Sequence, residues 1–365
     1  MGNTVGSVYR VTSFGESHGE VVGVVVDGCP PGHSLGLDRI QAELDRRRPG
    51  QSAATTTRSE EDRVEVLSGV HEGRTTGAPI CMVIRNRDAD PSAYEAIRWR
   101  PRPGHADYTA HVKYGGYGDH RGGGRFSGRI TACHVMAGAL ARQLLDPLGV
   151  RVVAYTRSIH GITAPGLTPE EALAYTESNP IRCPDPETAA RMMEAVEEAR
   201  RAGDSLGGSV ECLALGVPPG LGEPVFDTLE GDLSKALFSV PAVKAVEFGA
   251  GAGFASMRGS DANDPYAVRG GRVVTLSNHS GGINGGMSSG MPVVVRATFR
   301  PTPSIGVPQG TVDLRTLEEA TLEVGGRHDP CIVPRAVPVV ENTVAMVLLD
   351  HALMAGAVKR WRVEE

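Results

Sequence analysis

The chain has 365 residues, 40% of them hydrophobic and 22% charged, with 47 Gly and 25 Pro, a globular composition on the loop-rich side. A net charge of −6 argues against a nucleic-acid binder, which carries a basic excess or stripe, but leaves room for a small anion held by local arginines. Length allows two domains, yet no linker, repeat or low-complexity tract divides the sequence, so 1–365 reads as a single domain.

The first residues show no basic stretch followed by an apolar one, and the apolar runs at Val21–Val26 and Ala345–Leu349 are too short to cross a bilayer. A cytoplasmic protein without a membrane segment is expected. The six cysteines form no Cys-x-x-Cys pair, so neither a metal site nor a redox dithiol is indicated; they read as buried small hydrophobes in a reducing compartment.

In chain order, the strand-like Val8–Thr12 leads into Gly15-Glu16-Ser17-His18-Gly19, where a histidine stands between small residues that a ligand can reach. A strand follows at Val21–Asp27. Leu37, Ile40 and Leu44 share a helical face before Pro49-Gly50 stops the run, and its last turn, Arg46-Arg47-Arg48, reads as a solvated helix end as readily as a site. After a strand at Pro79–Ile84 comes a second polar island, Pro103-Gly104-His105-Ala106-Asp107, in which Asp107 can fix the imidazole tautomer.

Gly118–Arg129 packs Arg121, Arg125, Arg129 and His120 around three consecutive glycines. Glycine lets backbone approach a ligand and each guanidinium can fork onto carboxylate or phosphate, although a flexible surface loop has the same composition. Beyond it lie a strand at Val150–Ala154, a capping box at Thr168–Glu171 opening a helix to about Ser178, and a helix from Asp185-Pro186 to about Ala202. Strands at Ser209–Leu215, Arg272–Leu276 and Pro292–Phe299 follow. They surround a third island, Ser277–Ser289, whose amides and hydroxyls suit the edge of a heteroaromatic ring. Arg300–Ser304 and Gly326–Pro330 are the fourth and fifth, and Glu341–Trp361 is apolar enough for a packing helix.

Common nucleotide and hydrolase signatures fail. Phe254 stands where the third glycine of a GxGxxG turn belongs, and no Gly-Lys or HExxH string occurs. Strands and helices alternate without βαβ spacing, giving an α/β or α+β class. Five islands holding histidines, an acid and arginines imply a polyanionic small molecule and proton transfer near neutral pH.

From end to end the chain resembles chorismate synthases. The resemblance rests on FGESHG at 14–19, VDGCPPG at 26–32, RRRPG at 46–50, RPGHADYT at 102–109 and RGGGRFSGR at 121–129. It continues through GVPPGLGEPVFD at 216–227, SNHSGGINGG at 277–286 and GRHDPC at 326–331. It implies a β-α-β sandwich with helices layered between sheets, assembled as a homotetramer. It also implies a 1,4-anti elimination of phosphate from 5-enolpyruvylshikimate 3-phosphate, closing the shikimate pathway and requiring reduced FMN without net redox change.

By motif position His18 would be the acid at the departing phosphate, and His105 would keep the flavin competently protonated. Asp329 would accept, through the flavin, the proton leaving the substrate, with Ser17 and Ser127 as relays. Arg48, Arg125, Arg129 and Arg335 are candidates for substrate anions, with Arg48 also an NADPH contact. FMN contacts would come from Arg125, Phe126, Ser127, Ala242, Gly285, Arg300, Pro301, Thr302, Pro303, Ser304 and Arg327. Whether NADPH reduces flavin on this chain or a separate flavin reductase supplies it stays open. The glycine loop departs from the frequent GRSSARET at Phe126, Gly128 and Ile130, and Ala53-Ala54 replaces a frequent arginine. A flavin oxidoreductase and a non-catalytic binding protein are the rival classes.

Overall fold

The computed structural model describes residues 2–48, 61–87, 92–95, 97–325 and 329–359. Two five-stranded sheets form its outer layers. The first runs, in spatial order, Thr4–Val5, Arg10–Gly15, Val21–Asp27, Ile80–Arg85, Val64–Ser68; the second runs Val243–Phe248, Val293–Phe299, Gly208–Leu215, Arg151–Ile159, Ile162–Thr163. Every ladder in both is antiparallel. Val293–Phe299 shows why: its residues alternate buried and half-buried, the period-two pattern of a strand with one face on a core.

Helices fill the space between. Thr131–Leu145 packs on Val21–Asp27 of the first sheet, Val333–Met354 packs on Arg151–Ile159 and Gly208–Leu215 of the second, and the two helices lie against each other. Both are apolar almost all round and buried almost throughout, as a helix between two layers must be. Leu37–Arg47 and Leu229–Phe238 flank this pair. The expected sandwich with helices layered between sheets is what the chain builds.

Most expected elements fall within a residue or two of their sequence positions. The strand at 150–154 runs further, to Ile159, and the last helix differs more: it begins at Val333, eight residues before Glu341, and ends at Met354. Pro334 sits in its first turn, where a missing N–H costs nothing, but Pro338 lies inside and obscures the helical pattern. At 22 residues this helix is long and apolar enough to cross a membrane, yet 94% of its apolar window is buried inside the molecule. Five of the six cysteines are buried as expected; Cys81 is half-buried.

Two contacts hold the central layer. Gly138 lies so close to the last helix that an added Cβ would stand 2.1 Å from the Asn342 carbonyl oxygen. Asp350, 5% exposed, accepts the backbone N–H groups of Ser7, Val8 and Tyr9, each at 2.7 Å. We expect Gly138→Ala to lose about 3 kcal/mol or more, because backbone cannot yield as a side-chain end can; urea unfolding checks it.

Candidate active site

Four of the five polar islands, all but Ser277–Ser289, meet where the first sheet, the 131–145 helix and the 300–304 turn converge. Gly122, Gly123 and Gly124 take φ of 62°, 100° and 51°, a run that L side chains resist. The geometry seats both histidines: a Cβ at Gly122 would stand 2.0 Å from His18 Cε1, and one at Gly123 would stand 3.1 Å from His105 Cε1. The loop is also tied to the His18 segment, where Ser17 N–H donates to the Gly124 carbonyl at 3.3 Å. Ser17 Oγ lies 3.1 Å from His18 Nδ1, and the Tyr94 ring meets the imidazole edge-on at 5.2 Å.

His105 is oriented by a carboxylate. Its Nδ1 is 2.5 Å from Asp107 Oδ1, and Arg102 donates to both oxygens of the same group at 2.8 Å. Nδ1–H therefore points at Asp107 and Nε2 faces Gly123. Burial alone would raise the Asp107 carboxyl, but hydrogen bonds from Arg102 and His105 hold it well below the usual carboxylate range. Arg102 Nη1 reaches Ser304 Oγ at 3.3 Å, while Arg300 donates to the Gly104 carbonyl at 2.5 Å. The Arg300 N–H in turn donates to the Ala242 carbonyl at 2.9 Å; Ala242 has the left-handed φ of 73°.

Thr302 carries the network on. Its hydroxyl donates to the Asp329 carbonyl at 3.1 Å, and the Asp329 carboxylate forms an ion pair with Arg335. Arg335 Nε donates to the Arg47 carbonyl at 3.2 Å, and Arg47 pairs with Asp62 at 2.7 Å. The other oxygen of Asp62 takes Arg129, also at 2.7 Å, and Arg129 Nε donates to Asn86. Asn86 then donates to the Glu16 and Gly19 carbonyls at 3.0 and 2.8 Å, on either side of His18. The path closes on itself, a ring of contacts that includes His18, His105, Asp329, Arg129, Arg335 and the 300–304 turn.

Other expected residues stand differently. Arg48 caps its helix and pairs with Asp45 at 3.7 Å with its side chain 39% exposed, whereas Arg46 and Arg47 are ion-paired inward, so the triplet is not a solvated helix end. Arg125 donates to Ser13 Oγ at 2.7 Å and to the Gly15 carbonyl at 3.0 Å. Ser127 Oγ accepts the Arg129 N–H and caps the short turn that presents this arginine. Gly285 lies in the Ile283–Ser288 hairpin, whose bonds run to Leu221 and Leu229 rather than to the ring. In the third island Asp264 takes the N–H groups of His279 and Ser280, so its polarity is spent locally. Arg327 and His328 lie outside the described residues.

A cavity of about 1330 Å³ opens beside the ring, with Tyr94, Trp99, Tyr114 and Phe126 among its walls. It meets the ring at Gly123, Arg102 and Asp107, and neither His18 nor Asp329 lines it. Asp62, Asn86 and Arg47 were missed from sequence. Asp62 ends the charged string Ser59-Glu60-Glu61-Asp62, which reads as a solvated face, and Asn86 stands in Arg85-Asn86-Arg87 at a strand end.

Fold and site together gather acid–base groups and buried guanidinium, as an enzyme handling an anionic small molecule would. Comparison with known proteins makes this specific. The family model described as chorismate synthase matches residues 9–353. The chain is 52% identical over 360 residues to a chorismate synthase of Dehalococcoides mccartyi, covering 99% of each chain. It is 55% identical to one of Korarchaeum cryptofilum, covering 98% of this chain and 99% of the relative. A crystal structure of chorismate synthase superimposes with a TM-score of 0.77 at 30% identity, covering 96% of this chain and 93% of that one. The chain belongs to the chorismate synthase family, carbon–oxygen lyases that close the shikimate pathway.

Gly122→Ala drives a methyl group into the His18 ring. We expect phosphate release from the substrate to fall about 100-fold, the scale of a 1 Å misplacement of a reacting group, with the far-ultraviolet circular dichroism spectrum unchanged.

Proposed function

We propose that this chain converts 5-enolpyruvylshikimate 3-phosphate to chorismate and phosphate with reduced FMN bound beside the ring. The closed ring carries the reading: two imidazoles, three carboxylates and several guanidinium groups, drawn from distant segments, lie on one path of contacts. The substrate bears two carboxylates and a phosphate, and buried guanidinium is the side chain that pairs with such oxygens in a fork.

The residues fit a flavin mononucleotide. Its phosphate and ribityl hydroxyls need guanidinium, hydroxyl and amide partners in succession, and Arg300, Thr302, Ser304 and the positive-φ Ala242 offer them beside His105 and Asp329. Reduced flavin supplies the electron density that lets phosphate leave an allylic carbon without net oxidation. The protein's tasks are then anion neutralisation, water exclusion and the placing of protons. His18, 8% exposed and edged by Tyr94, is the acid at the departing phosphate oxygen. His105, with Nδ1–H fixed on Asp107, keeps Nε2 for a proton on the flavin side. Asp329, held by Arg335, is the carboxylate that receives the substrate proton.

We read the chain as one cytoplasmic domain that assembles as a homotetramer, with NADPH or a separate flavin reductase as the source of electrons. Anaerobic assays decide between the two. Release of phosphate and chorismate with chemically reduced FMN is the expected result; release also with NADPH plus oxidised FMN marks a chain that reduces its own flavin. No release under either condition would overturn the reading in favour of a binding protein. His18→Ala, His105→Ala and Asp329→Asn should each lower the rate by about 100-fold or more, the usual weight of a positioned acid or base, and near-normal rates in all three would sink the assigned roles.

Asp107 gives a pH test. Its carboxyl sits below its unfolded value, so its contribution to stability is full above about pH 4 and is lost as pH falls through the lowered folded value. Thermal melts of Asp107→Asn should therefore lie below wild type at neutral pH and approach it in strong acid.

A further inference from the structure

We propose that Asp62 is a positioning residue for this reaction: it divides one carboxylate between Arg47 and Arg129 and so sets where the substrate's anionic groups are held. The proposal rests on the reading of the site as the binding place of a polyanion. Asp62 touches no reacting atom itself. Its side chain is fully buried, with Oδ2 on Arg47 Nη2 and Oδ1 on Arg129 Nη1, both at 2.7 Å.

The geometry is over-determined, as a positioning role requires. Asp62 holds a left-handed φ of 45°, a conformation that aspartate tolerates better than most residues but that still costs free energy. Gln41, from the 37–47 helix, keeps it there: its Nε2 donates to the Asp62 carbonyl at 3.3 Å and its Oε1 accepts the Val64 N–H at 3.0 Å. Arg129 is fixed from a second side by Asn86, which also holds the carbonyls flanking His18. A shift of Asp62 is therefore felt first at Arg129, while the Asn86 bonds to the Glu16 and Gly19 carbonyls hold the acid in place.

Charge gives the arrangement its purpose. In this half of the ring Arg47 and Arg129 meet on Asp62, and Arg335 pairs with Asp329. Burial pulls Arg47 below the usual guanidinium value, and Arg335 and Arg129 add to that by repulsion. Guanidinium does not give up its proton in proteins, so these cations keep their charge in the site. One shared carboxylate fixes the spacing of the two guanidinium groups.

Asp62→Glu keeps the charge but moves it by one methylene, and Asp62→Asn removes the charge at equal size. Steady-state assays with reduced FMN, beside thermal melts, separate positioning from bare stability. With wild type turning over, Asp62→Glu should raise KM about tenfold or more, a misplacement effect, while kcat stays within about threefold. Asp62→Asn, if folded, should raise KM further. Wild-type KM in a folded Asp62→Glu variant would overturn the proposal, whatever Asp62→Asn does. If wild-type enzyme itself releases no phosphate, the reading of the site has failed instead.

Discussion

Buried positive charge is the constraint on which this molecule is organised. A guanidinium removed from water must be met by hydrogen bonds and opposite charge, or its desolvation costs several kcal/mol. Asp62, Asp107 and Asp329 each meet one or two arginines, and other guanidinium donors go to Asn86, Ser304 and backbone carbonyls.

Rigidity of the site comes from the sandwich. The site residues sit at the ends of secondary-structure elements whose other faces are buried: Arg47 closes the 37–47 helix, Arg129 precedes the 131–145 helix, Asn86 follows the 80–85 strand and Arg335 belongs to the first turn of the last helix. Each side chain inherits its position from an element that cannot slide without breaking core packing. The triple-glycine loop is the complementary device. With no Cβ it passes between two imidazoles at distances that side chains would forbid.

What could be read from sequence follows from how local its causes are. Capping boxes, proline and alternating strands announce themselves, so the Thr168 cap and the 293–299 strand stand where expected. The island histidines were visible because small residues around an imidazole are unusual. Asp62 was not, since a carboxylate at the end of an acidic string looks solvated until a helix 15 residues earlier turns Arg47 onto it. Arg46 and Arg47 misled for the same reason: their partners, Glu341 and Asp62, belong to other segments. Asn278 shows the converse, a polar group that looked available but is committed to a neighbouring backbone carbonyl.

The bond between Asp350 and residues 7–9 joins segments more than 340 positions apart. During synthesis the first sheet leaves the ribosome long before the helix that covers its neighbours and anchors its edge. A partly made chain therefore presents the apolar flank of the 131–145 helix to water, with the last helix still untranslated. Such distant pairing makes folding slow, because the entropy of closing the loop is lost before the contact repays it. Nascent chains of this architecture depend on protection of that flank until the last helix is complete.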